Sequence, residues 1–430
     1  MEAESEEYAT EPVPDDSTIG WFRVALVSAM VSFSLPTFLT GVELSAASSP
    51  TESLYIVIVG SLILTVIGSI CAGIGASTRL SSYMLNRIAF GDHGAAIVNI
   101  AFAISLLGWF GVNIDLFSNA VLRLSNDIFA TAPPVWVVES IAGIVMTATT
   151  VIGFKAINFL SLLLVPVMVV VTGLLISGSF ETTSLDTLLS QPEGGEITFG
   201  FGVSSVVGAV IVGAIILPDI CRFIKHWSGG VYLVIINYLL LMILVSGTGA
   251  LAAAAMDDRD LLNIMITLGI GGAAFIIVIC GSWVLNSLNL YSTMLSVEST
   301  FPNLNYKVLI MVTGALGTVA AFFNILDYFL DFLFYLSVIF VPVAGVISVD
   351  YLVIRRSAYH EDLQSSQVGI RILAMVAWGI GAGLALLGSE GVITISGIAA
   401  VDAMLAAAIS YFLLVKLTTS RSTQDGELQS

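Results

Sequence analysis

The chain has 430 residues, of which 57% are hydrophobic and only 10% charged, and its net charge is −17. A soluble protein of this size cannot dispose of so much apolar surface, so the composition excludes a soluble enzyme and selects a polytopic membrane protein with lipid as its solvent. Seven acids within the first sixteen residues, and loops such as Asp257-Asp258-Arg259-Asp260, read as a solvated tail and solvated loops rather than as a binding surface.

The segment from Met1 to Ile19 has no basic region ahead of an apolar one, so no cleavable signal peptide is expected. Cys71, Cys221 and Cys280 lie in or beside apolar runs, at spacings that suggest neither disulfides nor a zinc site. No Walker loop or dinucleotide fingerprint is present, which argues against ATP-driven transport by this chain alone. The expected partners are the lipid bilayer and a small-molecule substrate, with no cofactor, no metal and no nucleic acid.

Apolar runs predict an all-α protein with twelve membrane spans, near 22–48, 53–76, 94–122, 132–152, 157–178, 198–221, 229–255, 263–291, 306–324, 328–353, 369–388 and 391–416. With a cytoplasmic N-terminus this count places twelve of the fourteen Lys and Arg residues inside, leaving only Arg123 and Arg259 outside. One miscounted span would scramble that asymmetry, so both termini are expected in the cytoplasm. Span 1 contains Ser34-Leu35-Pro36, and span 6 contains Gly208, Gly213 and Pro218. Helix breakers in corresponding spans of two halves predict an inverted-repeat transporter whose site lies at the breaks.

In span 3, Gly108-Trp109-Phe110-Gly111-Val112-Asn113-Ile114-Asp115 sets aromatics, an amide and a carboxylate in an otherwise apolar run. Trp109 and Asn113 are four residues apart and share a helix face, which suits a flat polar ligand. In span 8, Ser282, Asn286 and Asn289 recur at helical spacing and either line a cavity or join helices. Asp219 lies three residues from Arg222, which predicts a structural ion pair. Glu43 and Asp331 sit toward the outer ends of their spans, and Asp327 lies beside span 10. A carboxylate deprived of water holds its proton more tightly, so Asp115, the most deeply placed, and Glu43 are the candidate proton carriers.

Four stretches resemble the nucleobase:cation symporter family 1, the purine–cytosine permease family. They are Gly75-Ala76 with Leu80, Leu85, Arg87, Phe90, Gly91 and Gly94; Gly108 to Val112; Asp219 with Arg222-Phe223; and Leu336-Ser337, Pro342-Val343, Gly345-Val346, Asp350-Tyr351-Leu352 and Arg355-Arg356. The similarity runs from about Ala25 to the last span. It implies a five-plus-five inverted-repeat, leucine-transporter-like fold with two extra C-terminal helices and alternating access. The divisions would be an acidic tail over 1–20, repeats over 21–180 and 195–356, spans 11 and 12 over 365–417, and a tail over 418–430. The substrate would lie between spans 1, 3, 6 and 8, with Trp109 stacking on a nucleobase. Asn113, Gly208, Val210, Asn286 and Asn289 would lie around it.

Two departures stand out. Family members resembling this chain carry a glutamine at the position of Leu106 and an aromatic on span 6 at Val210, beside Ala209. Their loss removes base-edge hydrogen bonds and half of a stacking sandwich. Sodium-coupled relatives bind the ion through carbonyls at the positions of Met30, Phe33 and Gly281 and two hydroxyls, replaced here by Val284 and Leu285. A methyl group cannot stand in for an oxygen ligand. The expectation is therefore a secondary transporter importing a nucleobase-like heterocycle, coupled to H+ rather than Na+. Alternatives are a carrier for another small, possibly cationic solute and a transporter-derived sensor that does not transport.

Overall fold

The structure is a computed structural model that describes residues 11–152, 154–189, 195–298, 300–301, 304–355, 359 and 369–427. Its regular elements are helical. Eight helical segments are long and apolar enough to cross a membrane, and three shorter apolar helices accompany them. With the broken first span these make twelve crossings.

Span 1 is two helices, α1 (Trp21–Ser32) and α2 (Leu35–Ala47), parted at Phe33 and Ser34. Pro36 falls in the first turn of α2, where its missing N–H costs nothing, and Ser34 is in the extended region that starts a helix. Helix α3 (Pro50–Thr78) is span 2; Ser49 accepts from the Glu52 amide at its start, and Arg79 at φ 61° ends it. A short helix, α4 (Ser82–Phe90), leads into span 3, α5 (Asp92–Phe129). Spans 4 and 5 are α6 (Val135–Ile152) and α7 (Phe154–Thr182), followed by the single turn α8 (Leu185–Leu189).

Span 6 differs from expectation. Helix α9 (Phe199–Ile215) runs unbroken through Gly208 and Gly213, and the interruption comes at Ile216 and Leu217, before the short α10 (Pro218–Cys221). A glycine weakens a helix but keeps its N–H, whereas proline removes a donor and clashes with the turn before it. Span 7 comprises α11 (Trp227–Val234), a π-helical stretch over Ile235–Leu241 and α12 (Met242–Met256).

Span 8 also starts later than the apolar run suggests. The first part of that run is a separate helix, α13 (Leu261–Thr267), capped by the Asp260 carboxylate. Gly269, at φ 78°, turns the chain before α14 (Gly271–Glu298) crosses the membrane. Spans 9 to 12 are α15 (Tyr306–Ala321), α16 (Phe329–Val349, preceded by a 3₁₀ turn and prolonged by a π turn to Ile354), α17 (Ile372–Ser389) and α18 (Ala399–Glu427).

Packing repeats between the halves. Helix α2 lies on α12 as α9 lies on α3, and α5 and α14 pack along one another at the centre. Helix α9 is also held closely against α16, where the Ser205 hydroxyl donates to the Leu330 carbonyl at 3.0 Å. The last two helices pair with each other and cover α16. Large apolar side chains such as Ile104, Ile144 and Val66 point outward, as lipid contact requires.

On the face rich in arginine, the Asp350 carboxylate is fully buried. It accepts from Arg355 Nε at 3.1 Å and from the hydroxyls of Tyr359 and Tyr411, each at 2.7 Å. Arg355 also donates to the Ile88 carbonyl at 2.8 Å, so this knot ties α16, α18 and α4 together. The Asp219 carboxylate is not paired through Arg222 alone, as its spacing suggests. It takes the Ser82 amide at 2.7 Å and the Ser82 hydroxyl at 2.9 and 3.0 Å, while Arg222 Nε donates to the Asp219 main-chain carbonyl at 3.1 Å. The first amide of α4 is a natural anchor for a carboxylate.

Candidate functional site

The candidate site forms where α5, α9, α14 and α16 meet. Trp109, midway along α5, is half-buried. The rings of Phe329 and Phe332 stand edge-on to it, at centroid distances of 6.0 and 5.3 Å. One turn on, Asn113 is 1% exposed and its Nδ2 donates to the Trp109 carbonyl at 2.8 Å. From α14, the fully buried Asn286 donates Nδ2 to the next carbonyl, that of Phe110, at 3.0 Å, and to Met146 Sδ at 3.3 Å.

These bonds fix which way both amides face. Each NH2 group is tied to the α5 backbone, and each Oδ1 has no partner among the described residues. The Ser282 hydroxyl, one turn before Asn286 and fully buried, is likewise without a partner there. Buried acceptors without donors are costly, which makes them a strong mark of a place where a ligand or water completes the bonding. Asn289 is half-buried on the same side of α14. Trp283 belongs to the packing, since its Nε1 donates to Thr149 Oγ1 at 3.0 Å.

Two residues expected at the substrate also take part in the packing. A Cβ on Gly208 would lie 1.7 Å from the Leu333 carbonyl, so this glycine serves the close approach of α9 to α16. Val210 is 5% exposed within the large core, together with Leu106. Ala209, about 100° round the helix from Val210, shares with Trp109 and Phe332 the cluster built on Leu39, Val112, Phe329 and Leu333. The two rings that meet Trp109, Phe329 and Phe332, both come from span 10. Neither stands out in sequence, where the run Phe329-Leu330-Asp331-Phe332-Leu333-Phe334-Tyr335 looks like ordinary membrane helix.

Asp115 lies about 9 Å further along α5 than Trp109. It is 6% exposed, and the charges of Glu139 and Asp327 reach it. The Leu326 amide approaches from the turn before α16, yet neither carboxylate oxygen has a hydrogen bond of regular geometry. Glu139, on α6 and 4% exposed, is a second acid inside the bundle; its signal in the sequence is a lone carboxylate in the apolar run from Val135 to Ile152. Glu43 is half-buried near the end of α2 within reach of the Arg259 charge, and Asp327 and Asp331 are exposed.

Four of the five positions expected to hold sodium, Phe33, Gly281, Val284 and Leu285, line a narrow cleft where the break between α1 and α2 meets α7 and α14. Ser34, Leu35, Leu164 and Met168 line it as well. Val284 is 2% exposed and packs with Leu164 in an apolar cluster that includes Cys280 and Leu288. Ser287 turns its hydroxyl to the Trp283 carbonyl of its own helix, at 3.0 Å. Met30 is in α1, but its side chain lies outside the described part of the structure. The acidic face carries a larger polar cavity of about 540 Å³, bordered by Ser45, Ser48, Asp257, Asp258 and Arg259.

Residues 12–414 match the family described as permease for cytosine/purines, uracil, thiamine and allantoin. Cytosine permeases of Escherichia coli O157:H7 and of strain K12 are each 28% identical over 422 residues, covering 97% of this chain and 96% of theirs. Among solved structures, the inward-facing conformation of Mhp1 superposes with a TM-score of 0.82 at 16% identity, covering 94% of this chain and 93% of Mhp1. The closed conformation of Mhp1, a nucleobase-cation-symport-1 family transporter with bromovinylhydantoin bound, gives 0.77 at 16% identity, covering 96% of both chains. These likenesses show the twelve-helix, five-plus-five fold with two added C-terminal helices.

Proposed function

Because the chain belongs to the family of permeases for cytosine/purines, uracil, thiamine and allantoin, we propose that it imports a flat heterocycle bearing N–H donors, by alternating access and in exchange for the energy of a proton gradient. The observation that carries this reading is the pair of unpartnered amide oxygens, on Asn113 one turn along α5 from the half-buried Trp109 and on Asn286, whose NH2 group is bonded to the Phe110 carbonyl of the same helix. A ring platform accepts any planar heterocycle, whereas two fixed acceptors select one that presents donors. A substrate that offered only carbonyls would leave all these groups unpaired, which is the strongest form of rejection a binding site has.

Proton coupling is supported by two features. Val284 and Leu285 put hydrocarbon where a hard cation needs oxygen, and Val284 is packed against Leu164. Asp115 is a buried carboxylate with no basic partner among the described residues and without regular hydrogen bonds, as a group that gains and releases a proton requires. Glu43 is the weaker carrier, because the charge of Arg259 reaches it. The distribution of Lys and Arg favours cytoplasmic termini and an outward-facing loop at Asp257–Asp260, in the cell membrane.

A second reading, a cationic solute, is favoured by one feature: the outer cavity is bordered by Asp257 and Asp258, which draw positive charge. The deciding experiment is uptake into proteoliposomes with sodium and pH gradients imposed separately. Candidate substrates come from a thermal-shift screen of pyrimidines, purines, hydantoins and quaternary amines. Uptake of a heterocycle that follows the pH gradient and ignores sodium is the expected result. Uptake that requires sodium would overturn the coupling, and stabilisation by amines alone would favour the second reading.

A further inference from the structure

We propose that Phe332 of α16 is the second aromatic contact for the substrate, in place of the ring absent from span 6. The inference rests on Trp109 being the binding platform, as argued above. Four observations lead to it. First, span 6 offers only Ala209 and Val210 near this level, neither of them aromatic, and both belong to clusters that Trp109 packs against. Second, of the two rings that meet Trp109, Phe332 is nearer, with its centroid 5.3 Å away and its plane turned by 75°.

Third, the two rings differ in exposure. Phe329 is 2% exposed and is filled in on all sides, whereas Phe332 and Trp109 are both half-buried. Both rings of this contact therefore keep part of their surface uncovered, and the proposal places a planar ligand on the uncovered part of Trp109, against Phe332. Fourth, the ring is placed by the backbone of α5. A Cβ on Gly108 would lie 2.8 Å from Cε2 and 3.0 Å from Cζ of Phe332, so the tip of the ring rests on the glycine that precedes Trp109. Glycine at 108 and phenylalanine at 332 are thus one fitted pair. The Ser205 to Leu330 hydrogen bond and the contact of Gly208 with the Leu333 carbonyl hold that turn of α16 in register.

The consequence is a change in what shapes the pocket. A ring on span 6 would share its helix with the helix break; a ring on span 10 comes from the helix packed over α9. Selection of ring size then depends on α16, so smaller side chains at 332 would admit larger heterocycles.

The test measures binding of cytosine, uracil, hydantoin and hypoxanthine to purified protein by calorimetry, with unfolding temperature recorded alongside. Phe332→Ala is expected to weaken the best monocyclic ligand about tenfold, and Phe332→Tyr to stay within about twofold of the parent. Gly108→Ala should reproduce the loss by displacing the ring. Adding Ala209→Phe to Phe332→Ala should restore part of the affinity, which a purely structural role for Phe332 would not produce. If Phe332→Ala does not fold, Phe332→Leu keeps the bulk without the ring and is expected to show the same loss. Phe332→Ala, or Phe332→Leu in its place, binding as the parent does while Trp109→Ala loses binding would overturn the inference and leave the proposed site standing. Unchanged binding in both the position 332 and Trp109 variants would overturn the two together, as would a parent protein that binds none of the four compounds.

Discussion

Two faces of one helix, α14, carry opposite chemistry. Asn286 faces α5, fully buried, with an oxygen that has no partner among the described residues. Val284, about 200° round the helix, faces α7 and packs its methyl groups against Leu164. Both side chains are buried, so the difference is not one of exposure. A buried polar face with unmet hydrogen bonds persists at a cost in stability and points to a ligand; a buried apolar face simply adds to the core. Within one helix, the face proposed to meet the substrate carries polar groups, and the face at the expected cation position carries hydrocarbon.

The polar face is tested most directly at Trp109. Trp109→Ala is expected to weaken binding of the preferred heterocycle by about thirtyfold or more, since truncating a central ring costs about 2 kcal/mol or more. Calorimetry reads it directly, and an unchanged affinity would remove the polar face from the substrate site. The next effect concerns energy coupling. With one proton per substrate, the parent should accumulate substrate about tenfold for each pH unit of inward gradient, because each 1.4 kcal/mol is a factor of ten. Asp115→Asn should bind substrate and exchange it across the membrane but accumulate none. Accumulation that survives in this variant would move the carrier role to another group, with Glu139 first in line as the neighbouring buried acid.

Much of the fold was legible because lipid imposes a simple rule: each crossing must be a long apolar helix. The twelve runs follow from it, whereas the break before Pro36 follows from the backbone donor that proline lacks. What escaped was the purpose of small residues. Gly208 has the same composition signal whether it breaks a helix or lets α16 approach, and only the Leu333 carbonyl beside it decides. The start of span 8 was hidden because α13 is itself apolar, and a single left-handed glycine, Gly269, separates the two. The anchoring of Asp219 was out of reach for another reason: its partner Ser82 is 137 residues away, while Arg222 sits at a tempting helical distance. As candidates, Trp109, Asn113 and Asn286 were readable because groups with polar atoms in the middle of a membrane helix demand an explanation. Phe332 was not, because an aromatic residue in a membrane helix demands none, and its meaning depends on which ring it touches.

The smallest expected effect tests whether the apolar face of α14 lacks only its side chains. The backbone that would supply a cation's remaining ligands is still present: α1 and α2 part at Phe33, as they must to free carbonyls, and Gly281 sits on α14 beside the same cleft. Replacing Val284 by Ser and Leu285 by Thr returns two hydroxyl oxygens to that cleft. Without an ion these hydroxyls are buried polar groups, and the double variant should lose about 1–3 kcal/mol of stability, as unsatisfied donors and acceptors do. With sodium the oxygens gain a ligand, and binding to the folded state alone raises stability in proportion to the logarithm of ion concentration. The expected result is therefore an unfolding temperature lowered in potassium and partly recovered in sodium, for the double variant only. If sodium stabilises the parent protein as well, the apolar face binds the ion by some other set of oxygens and the contrast between the two faces fails. If sodium stabilises neither, the cleft has closed around Leu164 and Met168 beyond what two hydroxyls can reopen, and the loss of the cation site lies in its walls as well as in its ligands.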